Sequence, residues 1–323
     1  MPTKTKPNWR YLISFSFIAL LLAILSLFIP WNTSSLEANP RPAQNYVAAL
    51  KKIETFRNKE KRAMYPLCQV QLLTQGQKVQ KAIVLVHGYT SCPQQFMELG
   101  KRFYDLGYNV LLAPMPHHGL SDRMTEAHSF LRASELAAYA DEVVDIAQGL
   151  GEEVAMAGLS VGGVVTAFAA THREDIDLAL LISPAFGYKA VPSAATAAAM
   201  NIYSLLPNGY GWWDAAKQEQ GGAPHGYPRY AKRALAEALR LGFAARRHKP
   251  MSKKVIVVTN PNDAAVNNEL IDKTIQRWRK QGIALEVYAF PMELQLDHDL
   301  IEPTHPAANI EVVYPKLVAL VER

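Results

Sequence analysis

Cysteine is nearly absent. Only Cys68 and Cys92 occur in 323 residues, with no Cys-x-x-Cys pair and no His cluster beside them. That spacing excludes the common zinc frameworks and a disulfide-dense small fold. No internal repeat is present, and the 20% charged and 49% hydrophobic residues exclude a disordered, collagen-like or coiled-coil chain. A chain of this length buries a core without staples. A basic body is also missing. The net charge is +5, but residues 1–62 hold ten of the 34 basic and three of the 29 acidic residues, which leaves residues 63–323 at −2. Without an electrostatic footprint for a phosphate backbone, nucleic acid is not an expected partner.

Charge is wholly absent from Tyr11 to Trp31, YLISFSFIALLLAILSLFIPW. At 1.5 Å per residue this run is long enough for a spanning helix. Lys4, Lys6 and Arg10 precede it, so it is either a cleaved signal peptide or an uncleaved signal anchor. It exceeds the usual 7–15 apolar residues of a signal peptide, and only a weak Thr33/Ser35 pair follows, which favours the anchor. The basic flank then predicts residues 1–10 in the cytoplasm and a membrane-anchored body on the non-cytoplasmic side, periplasmic or extracellular. Secretion after cleavage is the alternative. In an oxidising compartment Cys68 and Cys92 are expected to pair, against the alternative of two buried thiols.

Residues 32–42 (NTSSLEANPRP) are expected to be a polar linker, and 43–62 a helix with Tyr46, Val47, Leu50, Ile53 and Phe56 on one face and basic residues on the other. That charged face is expected to be solvated, with contact to lipid headgroups the alternative. The linker and helix together occupy 32–65, and the remaining 66–323 is expected to be one domain. There, apolar strand candidates at 82–86, 109–113, 154–157, 178–182, 255–259 and 285–289 alternate with helical stretches at 93–106, 133–150, 161–172, 269–281 and 312–321. This pattern predicts an α/β fold whose mostly parallel sheet is covered on both faces. The alternation breaks at Tyr188–Pro250, Ala-rich and then aromatic and Gly/Pro-rich, which predicts an insertion over one end of the sheet.

Gly158-Leu159-Ser160-Val161-Gly162 carries the chemistry. Gly-x-Ser-x-Gly alone arises by chance, but here it follows a predicted strand and opens a predicted helix, the setting that exposes a nucleophile on a tight turn. A serine hydroxyl needs a base, and the base an orienting carboxylate. In the chain order Ser, Asp, His, Asp263 in NPNDAAV and His298 in LDHD fit. Asp297 and Asp299 compete for the carboxylate role, and His305 and His225 for the base. Backbone N–H donors for an oxyanion are expected at Val161, after the nucleophile, and at Tyr89 in His87-Gly88-Tyr89-Thr90. His87 itself is expected to be structural. His117 and His118 fit a hydrogen-bonded loop better than a metal site, because no further ligands stand out around them. Trp212 and Trp213 suit a pocket wall or a core anchor equally.

The succession HGYT, PHHGLSD, GLSVGG, NPNDAAV and LDHD resembles the α/β-hydrolase superfamily, in particular its branch of monoacylglycerol lipases and bacterial carboxylesterases, over about residues 66–323. The resemblance implies Ser160 as nucleophile, His298 as base, Asp263 as its partner, Tyr89 and Val161 as oxyanion donors, no cofactor, and a lid at 188–250. The lipases' Gly-His-Gly-x-Ser segment is here His117-His118-Gly119-Leu120-Ser121, with His117 in place of the first Gly, and the Trp212-Trp213-Asp214 cluster is the chain's own. The expected activity is hydrolysis of a small-molecule carboxylic ester. A thioesterase, an amidase or peptidase, an acyltransferase, or a non-catalytic binding protein on the same fold are the alternatives.

Overall fold

The computed structural model describes residues 9–323, with side chains from Phe15 onward. The expected cytoplasmic tail 1–10 lies almost wholly outside the described residues. Helix α1 runs Trp9–Ser26, and its apolar side chains Phe15, Phe17, Ile18 and Leu20 to Leu22 are exposed. Among the described residues, no helix is long and apolar enough to cross a membrane, and the side chains of Tyr11 to Ser14, the start of the span expected over Tyr11–Trp31, lie outside the described residues. The helix stops because the N–H groups of Leu27, Phe28 and Ile29 turn back three residues, to Ile24, Leu25 and Ser26. Pro30 then has no N–H to continue with. The carbonyls of Leu27 and Ile29 both accept from Asn201 Nδ2, at 2.7 and 2.8 Å.

The segment expected as a linker is docked instead. Asp141 Oδ2 accepts the N–H of Asn39 at 2.6 Å, and Asp145 accepts those of Arg41 at its side chain and Ala43 at its carbonyl, both at 2.8 Å. These two carboxylates both pair with Arg173, which is fully buried and also pairs with Asp175. Helix α2, Tyr46–Arg57, is capped by Asn45, whose side chain accepts from the Ala48 N–H. It buries Ala49 and Ile53 while Val47 and Leu50 remain exposed, so the inward stripe is rotated from the one expected.

The body contains β1 (Gln71–Leu73), β2 (Val79–Val86), α3 (Met97–Asp105), β3 (Asn109–Leu112), α4 (Ala133–Gln148), β4 (Gly151–Leu159), α5 (Val161–His172) and β5 (Leu178–Ile182). It continues with α6 (Thr196–Leu205), β6 (Tyr210–Trp212), β7 (Arg229–Ala231), α7 (Lys232–Arg247), β8 (Lys254–Thr259), α8 (Asn268–Lys280), β9 (Glu286–Ala289) and α9 (Ile310–Val321). Seven strands form one sheet in the order β1-β3-β2-β4-β5-β8-β9, parallel except for β1. Alternate side chains supply two cores. Val84, Val86, Met156, Leu181 and Val257 face α4, α5, α7 and α8, whereas Ile83, Leu85, Ala157, Leu180 and Ile256 face α3 and α9. This two-sided burial is why the strands are apolar at nearly every position.

Three features of the body depart from expectation. The short edge strand β1 and the β6–β7 hairpin were not foreseen. Helix α7, placed by the sequence inside the insertion, buries Ala234, Ala238, Leu241 and Ala245 in the same core as α4 and α5. The insertion proper therefore ends near Ala231.

Candidate active site

Ser160 sits where β4 meets α5, half-buried, with φ 58° and ψ −115°. A non-glycine residue in that region costs about 1–3 kcal/mol and persists only where the surroundings enforce it. They do so here. The Ser160 N–H donates to the Ile182 carbonyl at 2.9 Å, and its carbonyl accepts from Ala185 and Val164. A Cβ on Gly158 would lie 2.2 Å from the Gly162 carbonyl oxygen, and one on Gly162 would lie 2.2 Å from that of Val86. Both positions must be glycine for the turn to fold this tightly.

Asp263 and His298 meet. Asp263 lies in the turn after β8, with Oδ1 accepting the N–H groups of Ala265 and Val266 at 2.9 and 3.0 Å. Its Oδ2 accepts from His298 Nδ1 at 2.7 Å. The Asp263 side chain is fully buried and that of His298 is 19% exposed. Burial works against the Asp263 charge, but the His298 hydrogen bond and charge prevail and hold the carboxyl below its ordinary pKa. Burial also works against a charged His298, yet Asp263, aided by Asp299 and Asp297, raises that ring above its ordinary pKa. Asn260 Nδ2 secures the loop that carries His298 by donating to the carbonyls of Leu296 and Asp297, at 2.8 and 3.0 Å. Among the described residues no hydrogen bond joins the Ser160 hydroxyl to His298. Such bonds are often long in unliganded enzymes.

The loop after β2 lies against Ser160, since a Cβ on Gly88 would stand 3.8 Å from that of Ser160. The Gly88 N–H is already taken by Gln95 Oε1 at 2.8 Å, which leaves Tyr89 N–H as the next donor along the loop. Val161 N–H belongs to the first turn of α5, where a helix supplies no acceptor of its own. His87 is structural. Its Nε2 accepts from Met115 N–H at 2.9 Å, so the proton is on Nδ1, which donates to the Gly88 carbonyl at 2.8 Å. Cys68 and Cys92 are joined, with Cα atoms 5.3 Å apart, and the bridge enters this loop four residues after Gly88.

The competing residues lie elsewhere or do other work. His225 of the insertion pairs with buried Glu302 at 3.0 Å. His305 lies 3.9 Å from Asp297. Asp299 turns to Gln95, whose Nε2 donates to its Oδ1 at 2.6 Å. His117 bonds to Glu135 at 3.1 Å, and His118 donates from Nδ1 to the Pro116 carbonyl at 2.8 Å. Among the described residues no group of three or more His, Cys, Asp or Glu is gathered to hold a metal ion. Trp213 of the insertion donates from Nε1 to Thr90 Oγ1 at 2.8 Å, and the Tyr227 N–H donates to the Thr90 carbonyl at 2.7 Å. The insertion is thus stapled to the loop after β2. The sequence did not single out Gln95, which belongs to none of the recurring motifs, and Thr90 entered only as the last residue of HGYT.

Residues 77–233 match the family model described as serine aminopeptidase, S33. A thermostable monoacylglycerol lipase of Bacillus sp. (strain H-257) is 28% identical over 120 residues, which is 35% of this chain and 44% of that relative. The chain thus matches less than half of that relative's length. Among solved structures, one reported for LipS and LipT, two metagenome-derived lipolytic enzymes, superposes with a TM-score of 0.61 at 18% identity, covering 80% of this chain and 99% of its own. A soluble variant of the Saccharomyces cerevisiae monoglyceride lipase in complex with a substrate analog gives 0.58 at 15% identity, covering 78% and 90%. The monoacylglycerol lipase of Paleococcus ferrophilus gives 0.56 at 15%, covering 80% and 98%. At these identities the structural likenesses establish the fold.

Proposed function

We propose that the chain, which has the α/β-hydrolase fold and resembles the monoacylglycerol lipase and bacterial carboxylesterase branch, hydrolyses carboxylic esters through Ser160, His298 and Asp263. The observation that carries this reading is the 2.7 Å bond between His298 and the buried Asp263 carboxylate, in a fold that presents Ser160 on a strained turn. His298 Nε2 removes the proton as Ser160 Oγ attacks the ester carbonyl, and Asp263 stabilises the resulting imidazolium. The N–H groups of Tyr89 and Val161 hold the oxyanion. The C–O bond to the alcohol breaks with the proton passing from His298 to the alkoxide. Water, deprotonated by His298, then releases the acid and restores Ser160. The joined Cys68 and Cys92 support a non-cytoplasmic location.

The test is p-nitrophenyl ester turnover with its pre-steady-state burst. Ser160→Ala is expected to lose both burst and turnover, and a variant that keeps them places the nucleophile elsewhere. A second reading, cleavage of an aminoacyl amide, is favoured by the description of the family model over 77–233. Aminoacyl p-nitroanilides hydrolysed faster than the esters would select it.

A further inference from the structure

Gln95 lies outside the triad but joins the two loops that the triad needs in register. It is 2% exposed, in a short turn over Pro93–Phe96. Its amide is used at both ends. Oε1 accepts from Gly88 N–H at 2.8 Å, and Nε2 donates to Asp299 Oδ1 at 2.6 Å. Gly88 precedes the oxyanion donor Tyr89 and packs against Ser160, and Asp299 follows His298. A buried amide fixes its orientation only when both ends are satisfied. We infer that Gln95 is a positioning residue that sets the distance between the oxyanion loop and the base loop. This rests on the triad reading above.

The far side of the base loop is held independently. Glu302 pairs with His225 of the insertion at 3.0 Å, and the Ile301 carbonyl accepts from Tyr314 OH at 2.8 Å. These contacts fix residues 301–302, Asn260 and Asp263 hold Asp297 and His298 from the β8 side, and the Asp299 side chain ties the same loop directly to the loop after β2 through Gln95. The groups facing Asp299 are Glu302, His298, His305 and Gln95. Burial first, and then the Glu302 charge, raise its pKa to about 6. At neutral pH its carboxylate therefore accepts from the Gln95 amide.

The test measures the rate at which a fluorophosphonate labels the full-length protein, a reaction independent of the natural substrate. The Ser160 Oγ–P bond forms, the P–F bond breaks, fluoride leaves and His298 takes the proton. Gln95→Met removes both bonds at similar volume and is expected to slow labelling about tenfold or more, because small misplacements at a reacting centre cost that much. Gln95→Glu keeps an acceptor for Gly88 but sets a carboxylate against Asp299. Its rate relative to wild type is expected to be low at pH 8 and to recover toward pH 6, where the two carboxyls share a proton. Wild-type rates in Gln95→Met overturn the inference, and so does a Gln95→Glu ratio that stays flat with pH. If Gln95→Met does not fold, the Gln95→Glu profile alone decides. A wild-type protein that is not labelled at all refutes the triad itself, a separate outcome from unaffected variants.

Discussion

His298 is gripped at Nδ1 by Asp263, which leaves Nε2 for proton transfer and fixes the tautomer. Because Asp263 raises the ring's pKa above the ordinary 6.5, the acid limb of kcat/KM is expected to have its midpoint above pH 6.5. Below that midpoint the ring is protonated and accepts nothing. Asp263→Asn is expected to move the limb to lower pH and to cut kcat by about 10³–10⁴. A pH series on both proteins checks this, and an unmoved limb would assign the titration to another group. The three residues proposed as the triad were legible as candidates because each follows a strand in a motif with a fixed chain order. Where Asp299 points was visible only in the geometry. Adjacent residues on a turn point apart, and this carboxylate meets Gln95, about 200 positions away in sequence and invisible to any local pattern.

Among the elements, the Cys68–Cys92 bridge and the insertion converge on the same loop. The bridge encloses a separation of 24 residues, worth about 3 kcal/mol in the chain-entropy model. The Ser91 N–H returns to the Gly88 carbonyl at 3.1 Å, so Cys92 is coupled to the backbone that presents Tyr89. The double variant Cys68→Ala/Cys92→Ala is expected to lower both Tm and kcat. Unchanged kcat at lowered Tm would limit the bridge to stability. The parallel strands and their helices were readable from two-sided apolar runs. Helix α7 was not, since its Ala-rich core face lay next to the Gly/Pro-rich insertion and was merged with it. Residues 32–42 were misjudged for a related reason. A polar, Pro-containing segment has the composition of a linker, and its docking depends on backbone N–H groups captured by Asp141 and Asp145, which composition does not reveal.

Across the whole molecule, neutral histidines buried beside the site tie stability to pH. Burial depresses His118 to about 3 and His128 to about 4, so the folded state does not take up protons that the unfolded chain binds below about pH 6.5. Their contribution is complete above pH 6.5 and is lost as pH falls, by roughly 2 kcal/mol per ring between pH 6.5 and 5. Asp299, raised to about 6, acts in the opposite sense over the same interval and offsets about 1 kcal/mol of that loss. Tm is therefore expected to fall by several degrees from pH 7 to pH 5, and by less in His118→Phe. An equal fall in that variant would assign the acid sensitivity to other groups.

The central claim, that Ser160 is the nucleophile of a triad with His298 and Asp263, is tested most directly by mapping a fluorophosphonate adduct by peptide mass spectrometry. One adduct is expected, on the peptide containing Ser160, and it should vanish in Ser160→Ala and be strongly slowed in His298→Ala. An adduct on another residue, or undiminished labelling of Ser160→Ala, contradicts it.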